Sequence, residues 1–141
     1  SLCDWSSDVC SSDLSFASVP LTRMDDQRAR KLLWKAHADR IRKERRAEMD
    51  ERVLVSGDHR MPFWYTTYGR KPASGRSLWI SLHGGGGAPP RVNDQQWENQ
   101  KRLYRPKEGV YLAPRAPTDT WNLWHQAHID DFYDRLIENR S

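Results

Sequence analysis

The chain has 141 residues and a net charge of +4, from 23 Lys and Arg against 19 Asp and Glu. That length supports one small domain with a modest core. There is no run of about 18 or more apolar residues, so no segment is built to cross a bilayer as a helix. Residues 23–52 hold 11 of the basic and 7 of the acidic side chains. The excess of charge sits there, and the remainder has no overall basic field for nucleic acid.

The first residues lack any helical or strand period. Asp4–Leu14 resembles the translation of a sequencing adapter, so residues 1–21 are read as an artefactual or disordered leader. A basic region followed by an apolar one, as in a signal peptide, is absent. Cys3 and Cys10 both lie in or beside that leader. The rest of the chain therefore has no disulfide, zinc–thiolate site or Cys nucleophile. Cytoplasm suits such a chain better than an oxidising compartment, although the compartment itself is not encoded here.

From Thr22 the pattern turns helical, and residues 22–52 read as an N-terminal helical extension. Thr22-Arg23-Met24-Asp25 is close to a capping box, with Asp25 and Asp26 near the positive helix end. Ala29, Leu32, Leu33 and Ala36, with Trp34, Ala38 and Ile41, form a broken apolar stripe. Arg42-Lys43-Glu44-Arg45-Arg46 fits either an anion-binding patch or a solvated face, and the interleaved acids favour the face.

Residues 53–141 read as a sheet-forming domain. Val53–Val55 and Met61–Tyr68 are strands joined by Ser56-Gly57-Asp58-His59, a tight-turn composition, so they form a hairpin. Ser77–Leu82 is a short apolar run suited to a strand buried on both faces. It runs straight into His83-Gly84-Gly85-Gly86-Gly87. Asn93 or Asp94 would cap a helix over Gln95–Tyr104. Val110–Ala113 then reads as a strand parallel to Ser77–Leu82, since strand, helix and strand make a crossover unit. A Trp-rich loop over Asp119–Gln126 precedes a last helix from His128 or Ile129 to about Asn139, with Ile129, Phe132, Tyr133, Leu136 and Ile137 on one face.

The four glycines carry the chemistry. A buried strand ending in His-Gly-Gly-Gly matches the oxyanion loop of esterases, where backbone N–H groups stabilise the charge that grows on an attacked carbonyl. A phosphate loop is excluded because Ala88-Pro89-Pro90 follows instead of Gly-Lys-Ser/Thr. Gly85 and Gly86 are the expected oxyanion donors, with His83, Gly84 and Gly87 supporting the loop and Gly84 making the turn. His83 either orients the loop or packs at the strand end. Trp121, Asn122 and Trp124 either line a substrate pocket or fill the core. His125, His128 and Asp130 have ligand-type spacing, but they straddle a loop–helix boundary, so no metal and no cofactor is expected.

His83–Pro90, Asn93–Trp97, Ala113–Asp119 and Trp121–His125 together resemble a bacterial α/β-hydrolase family of esterases and phospholipase/carboxylesterase-like proteins. The preceding helix and hairpin fit that family's opening, so the likeness runs from about Thr22 onward. It implies an α/β fold, a Ser–His–Asp mechanism and a small-molecule ester substrate. The family's G-x-S-x-G elbow is missing from these 141 residues. The expectation is an incomplete α/β-hydrolase sheet preceded by a long charged helix: it supplies the oxyanion hole, lacks the triad and is inactive alone. Its last strand would expose a sheet edge prone to self-association. The alternative is a non-catalytic interaction domain that binds an anionic or carbohydrate partner.

Overall fold

A computed structural model describes residues 19–138; the adapter-like segment, both cysteines and Asn139 lie outside the described residues. The chain divides into two compact units, Ser1–Arg40 and Ile41–Ser141.

Most of helix α1 (Arg23–Glu44) belongs to the first unit. Its start is a reciprocal box. The Thr22 N–H donates to Asp25 Oδ2 at 2.9 Å, and the Asp25 N–H returns a bond to Thr22 Oγ1 at 3.2 Å. The Thr22 hydroxyl also donates to Asp25 Oδ2 at 2.6 Å. These bonds to Thr22, the side-chain one foremost, hold the Asp25 carboxyl below its ordinary range. Asp does the work usually given to Glu at this position. The expected apolar stripe is buried only at its end: Leu32, Leu33 and Trp34 are exposed, whereas Ala38 and Ile41 are buried.

In the second unit, a short helix α2 (Arg46–Glu51) ends at Arg52, whose φ of 56° turns the chain into the sheet. Strands β1 (Val53–Ser56) and β2 (His59–Tyr68) form the expected hairpin across Gly57-Asp58, with Gly57 at φ 55°. Strand β2 changes partner midway: His59–Pro62 pairs with β1, and Phe63–Tyr68 pairs antiparallel with β4 (Gly109–Pro114). Strand β3 (Leu78–Ile80) lies parallel to β4 on its other side. The order is β1-β2-β4-β3, a mixed sheet in a mixed α/β architecture.

Helix α3 (Pro90–Leu103) makes the parallel crossover, and α4 (Ile129–Glu138) packs on the opposite face. The two faces follow from strand alternation along β4. Leu112 joins Leu54, Met61, Phe63, Ile129, Phe132 and Leu136 in the core, whereas the Tyr111 hydroxyl donates to the Gln100 carbonyl of α3 at 2.6 Å. Arg135 of α4 donates to the Val55 carbonyl at 2.5 Å and pairs with Glu48 of α2.

Three expectations need correction. Strand β3 is not buried on both faces: it is an edge strand, and Trp79 is 51% exposed. The hydrogen-bond ladder fixes which of its groups face outward. The Ser77 carbonyl accepts from Val110 and the Ser81 N–H donates to Leu112, so the alternate N–H and C=O groups of Leu78 and Ile80 point away from β4. Helix α3 starts at Pro90 rather than Gln95, because proline is preorganised for the first helical turn and Asn93 is committed elsewhere. Ile137 is exposed, as the buried stripe of α4 is confined to Ile129, Phe132 and Leu136.

Candidate functional site

Beyond β3 the chain alternates once more, leaving Leu82 38% exposed and burying His83 to 2%. The His83 ring has two defined partners. Its Nε2 receives the Ala116 N–H at 3.0 Å, and its Nδ1 lies 2.7 Å from the Gly84 carbonyl oxygen. A backbone N–H can only donate, so Nε2 is the acceptor and the ring proton sits on Nδ1, donating to Gly84. Burial pushes the His83 pKa down; the Arg115 guanidinium adds to this, and the Gly84 bond, Asp119 and Asp94 oppose it.

Three carbonyls in a row are pinned this way. The Trp124 indole N–H donates to the His83 carbonyl at 2.8 Å, His83 Nδ1–H to that of Gly84, and the Ala88 N–H to that of Gly85 at 3.1 Å. A trans peptide is planar and its N–H points opposite to its C=O. Holding those three carbonyls therefore sets the directions of the Gly84, Gly85 and Gly86 N–H groups. None of the three donates a hydrogen bond among the described residues. The Gly87 N–H is spent on the Asp119 carbonyl at 3.0 Å.

Glycine is required at particular places. Gly85 and Gly87 have φ of 102° and 79°, so the left-handed geometry falls on them and not on Gly84, the residue assigned the turn. Gly86 is required by space: a Cβ there would meet the Trp121 and Thr120 carbonyl oxygens at 2.6 and 2.8 Å. A Cβ on Gly84 would meet nothing within 4 Å.

A polar cluster that sequence reasoning left out holds the loop from below. The Arg115 guanidinium, almost wholly buried, donates to Asp94 Oδ1 at 3.0 Å and Asp119 Oδ1 at 2.5 Å. It also donates to the Ala116 and Thr118 carbonyls at 2.7 and 3.2 Å. Asn93, fully buried, donates to the same Asp119 oxygen at 2.7 Å and to the Ala88 carbonyl at 3.1 Å. Its own Oδ1 has no partner and lies against Gly85. The one signal for this cluster in the sequence is the position of Arg115 between two prolines at the end of an apolar strand.

The remaining expected site residues scatter. Trp121 is 84% exposed and lends its backbone, not its ring, to the seat of Gly86. The Asn122 carbonyl accepts the His125 N–H at 2.6 Å in a tight turn. Trp124 packs on the core while pinning His83. A groove of about 640 Å³ lies at the β3 edge, lined by Trp79, Ile80, Ser81, Tyr104, Lys107 and Tyr111, and the glycine loop is not part of its wall.

His128 does not meet His125. Its ring stacks on His59 at 3.8 Å and 17°, with Phe132 edge-on. Burial, then the facing His59, lowers its pKa. Lone pairs lie in the ring planes, so two parallel imidazoles do not converge on one ion. Among the described residues no three His, Cys, Asp or Glu side chains group as metal ligands.

No family model, curated protein or solved structure matches the chain. Chemically, a row of oriented and unspent N–H groups is a receptor for negative charge on oxygen.

Proposed function

We propose that this chain is the front part of a serine hydrolase acting on carboxylic esters, and that it supplies the oxyanion hole of that enzyme. The observation carrying this reading is the set of unspent N–H groups at Gly84–Gly86, on the loop between the third strand and the helix that follows. That is where α/β-hydrolases keep their His-Gly-Gly-Gly donors. Strand order and the parallel crossover agree with such a sheet. Gly85 and Gly86 remain the donors of choice, and Gly84 joins them.

No serine here stands in a G-x-S-x-G context. The 141-residue chain should therefore hydrolyse 4-nitrophenyl acetate no faster than buffer and resist labelling by a fluorophosphonate. The same chain extended along its source reading frame should become labelled on one serine. Failure of the extended chain to label would end the hydrolase reading. It would favour an interaction domain instead, for which the exposed Trp121 is the supporting feature.

The last strand, β4, is paired on both sides, so the exposed edge expected there falls on β3 instead, and with it a second expectation, association of copies through β3. Ile80→Pro removes an N–H that points away from the sheet and leaves the β4 ladder intact. Sedimentation velocity should show association that rises with concentration in the parent chain and is absent in this variant.

A further inference from the structure

We propose that His83 is an acid-releasable latch for the glycine loop: its Nδ1–H tautomer aims the Gly85 N–H, and protonation at Nε2 frees it. This rests on the oxyanion reading for its purpose, but its geometry stands apart from any catalysis.

Each ring nitrogen of His83 faces one defined partner. Nε2 must be unprotonated to accept the Ala116 N–H. Adding a proton there sets two donors against each other at hydrogen-bond distance in a site with almost no access to water. The imidazolium can relieve this only by turning out of the pocket or by displacing the Ala116 amide. Turning out withdraws Nδ1–H from the Gly84 carbonyl, and that is the movement the latch uses. That carbonyl shares a rigid plane with the Gly85 N–H, so releasing one unaims the other.

The surroundings favour the neutral ring. The Arg115 guanidinium, on the segment leaving β4, opposes a second positive charge. Asp119 of the following loop and Asp94 of α3 favour it, but both already bind Arg115. The Trp124 ring, edge-on at 5.3 Å, offers no charge. The sign follows. A histidine with a depressed folded pKa takes up its proton more readily in the unfolded chain. Its contribution is complete above about pH 6.5 and is lost as pH falls from there through the folded value.

The test is a long-range ¹H–¹⁵N correlation spectrum of the histidine-labelled chain, followed by an acid titration read at the glycine amides. At neutral pH the His83 ring should show the Nδ1–H pattern, which is the less common one for histidine. On acidification it should titrate below the ordinary histidine range. The Gly85 amide should move with the same midpoint, while the Gly57 amide in the β1–β2 turn stays still. In His83→Gln, an amide that offers both a donor and an acceptor but does not titrate, the acid response of Gly85 should vanish.

An Nε2–H pattern, or a Gly85 amide that ignores the His83 titration, would overturn the latch, and both are read on the parent chain. Neither result depends on ester hydrolysis. A working latch on a chain whose extended form labels no serine would sink the hydrolase reading alone.

Discussion

Gly86→Ala should cost about 1–3 kcal/mol of stability, whereas Gly84→Ala should leave stability within about 0.5 kcal/mol or raise it slightly. The two glycines are two residues apart in one loop, so composition alone treats them alike. Space separates them. A methyl group on Gly86 would sit 2.6 Å from the Trp121 carbonyl oxygen and 2.9 Å from its carbon. Those are backbone atoms, and their segment is tied down by Gly87 N–H to the Asp119 carbonyl and Leu123 N–H to the Thr120 carbonyl. The loop must lift, and the aimed donors lift with it. Gly84 has open space on its Cβ side and no positive φ, so alanine there mainly restricts the unfolded chain. Urea midpoints at constant slope compare the pair. Equal midpoints for the two variants would mean that Gly86 is not seated on residues 120 and 121.

Arg115→Met should be worse, at about 2–4 kcal/mol, and Arg115→Lys should recover little of it. The guanidinium serves four oxygens from one buried position: two carboxylates and two carbonyls. Losing it leaves Asp119 packed against the Asn93 amide with no cation, and strips the buried Ala116 carbonyl and the half-buried Thr118 carbonyl of their donor. Removing one partner of a fully buried ion pair costs about 3–5 kcal/mol; Asp94 is well exposed, which trims the figure here. A lysine ammonium cannot span the same four acceptors, because it is a point charge without the planar fork. A double-mutant cycle with Asp119→Asn should return a coupling above about 1 kcal/mol, and additive losses would show that the pair contributes nothing specific.

The elements with strong local signals were legible. The box at Thr22 and Asp25 closes as its spacing implies, since both partners lie within one turn of helix. The hairpin across Gly57-Asp58 forms where period-two strands flank a turn dipeptide. The loop after β3 sits between strand and helix, as its glycines imply. Boundaries fared less well. The start of α3 moved to Pro90, because Asn93 satisfies a loop carbonyl and a distant carboxylate instead of capping a helix end. Nothing within ten residues of Asn93 announces Asp119.

Local chemistry written along the chain was enough to determine a mixed α/β unit, a helix opened by a box, and a glycine loop able to offer backbone hydrogens. Tertiary structure alone decided which hydrogens remain unspent, which tautomer His83 adopts, and that Arg115 underlies the loop. The physical reason is distance along the chain. His83 meets Ala116 and Trp124, and Arg115 meets Asp94, across separations of 20 to 40 or so residues that no periodicity encodes. Such partners are chosen by the sheet order that brings the ends of β3 and β4 side by side.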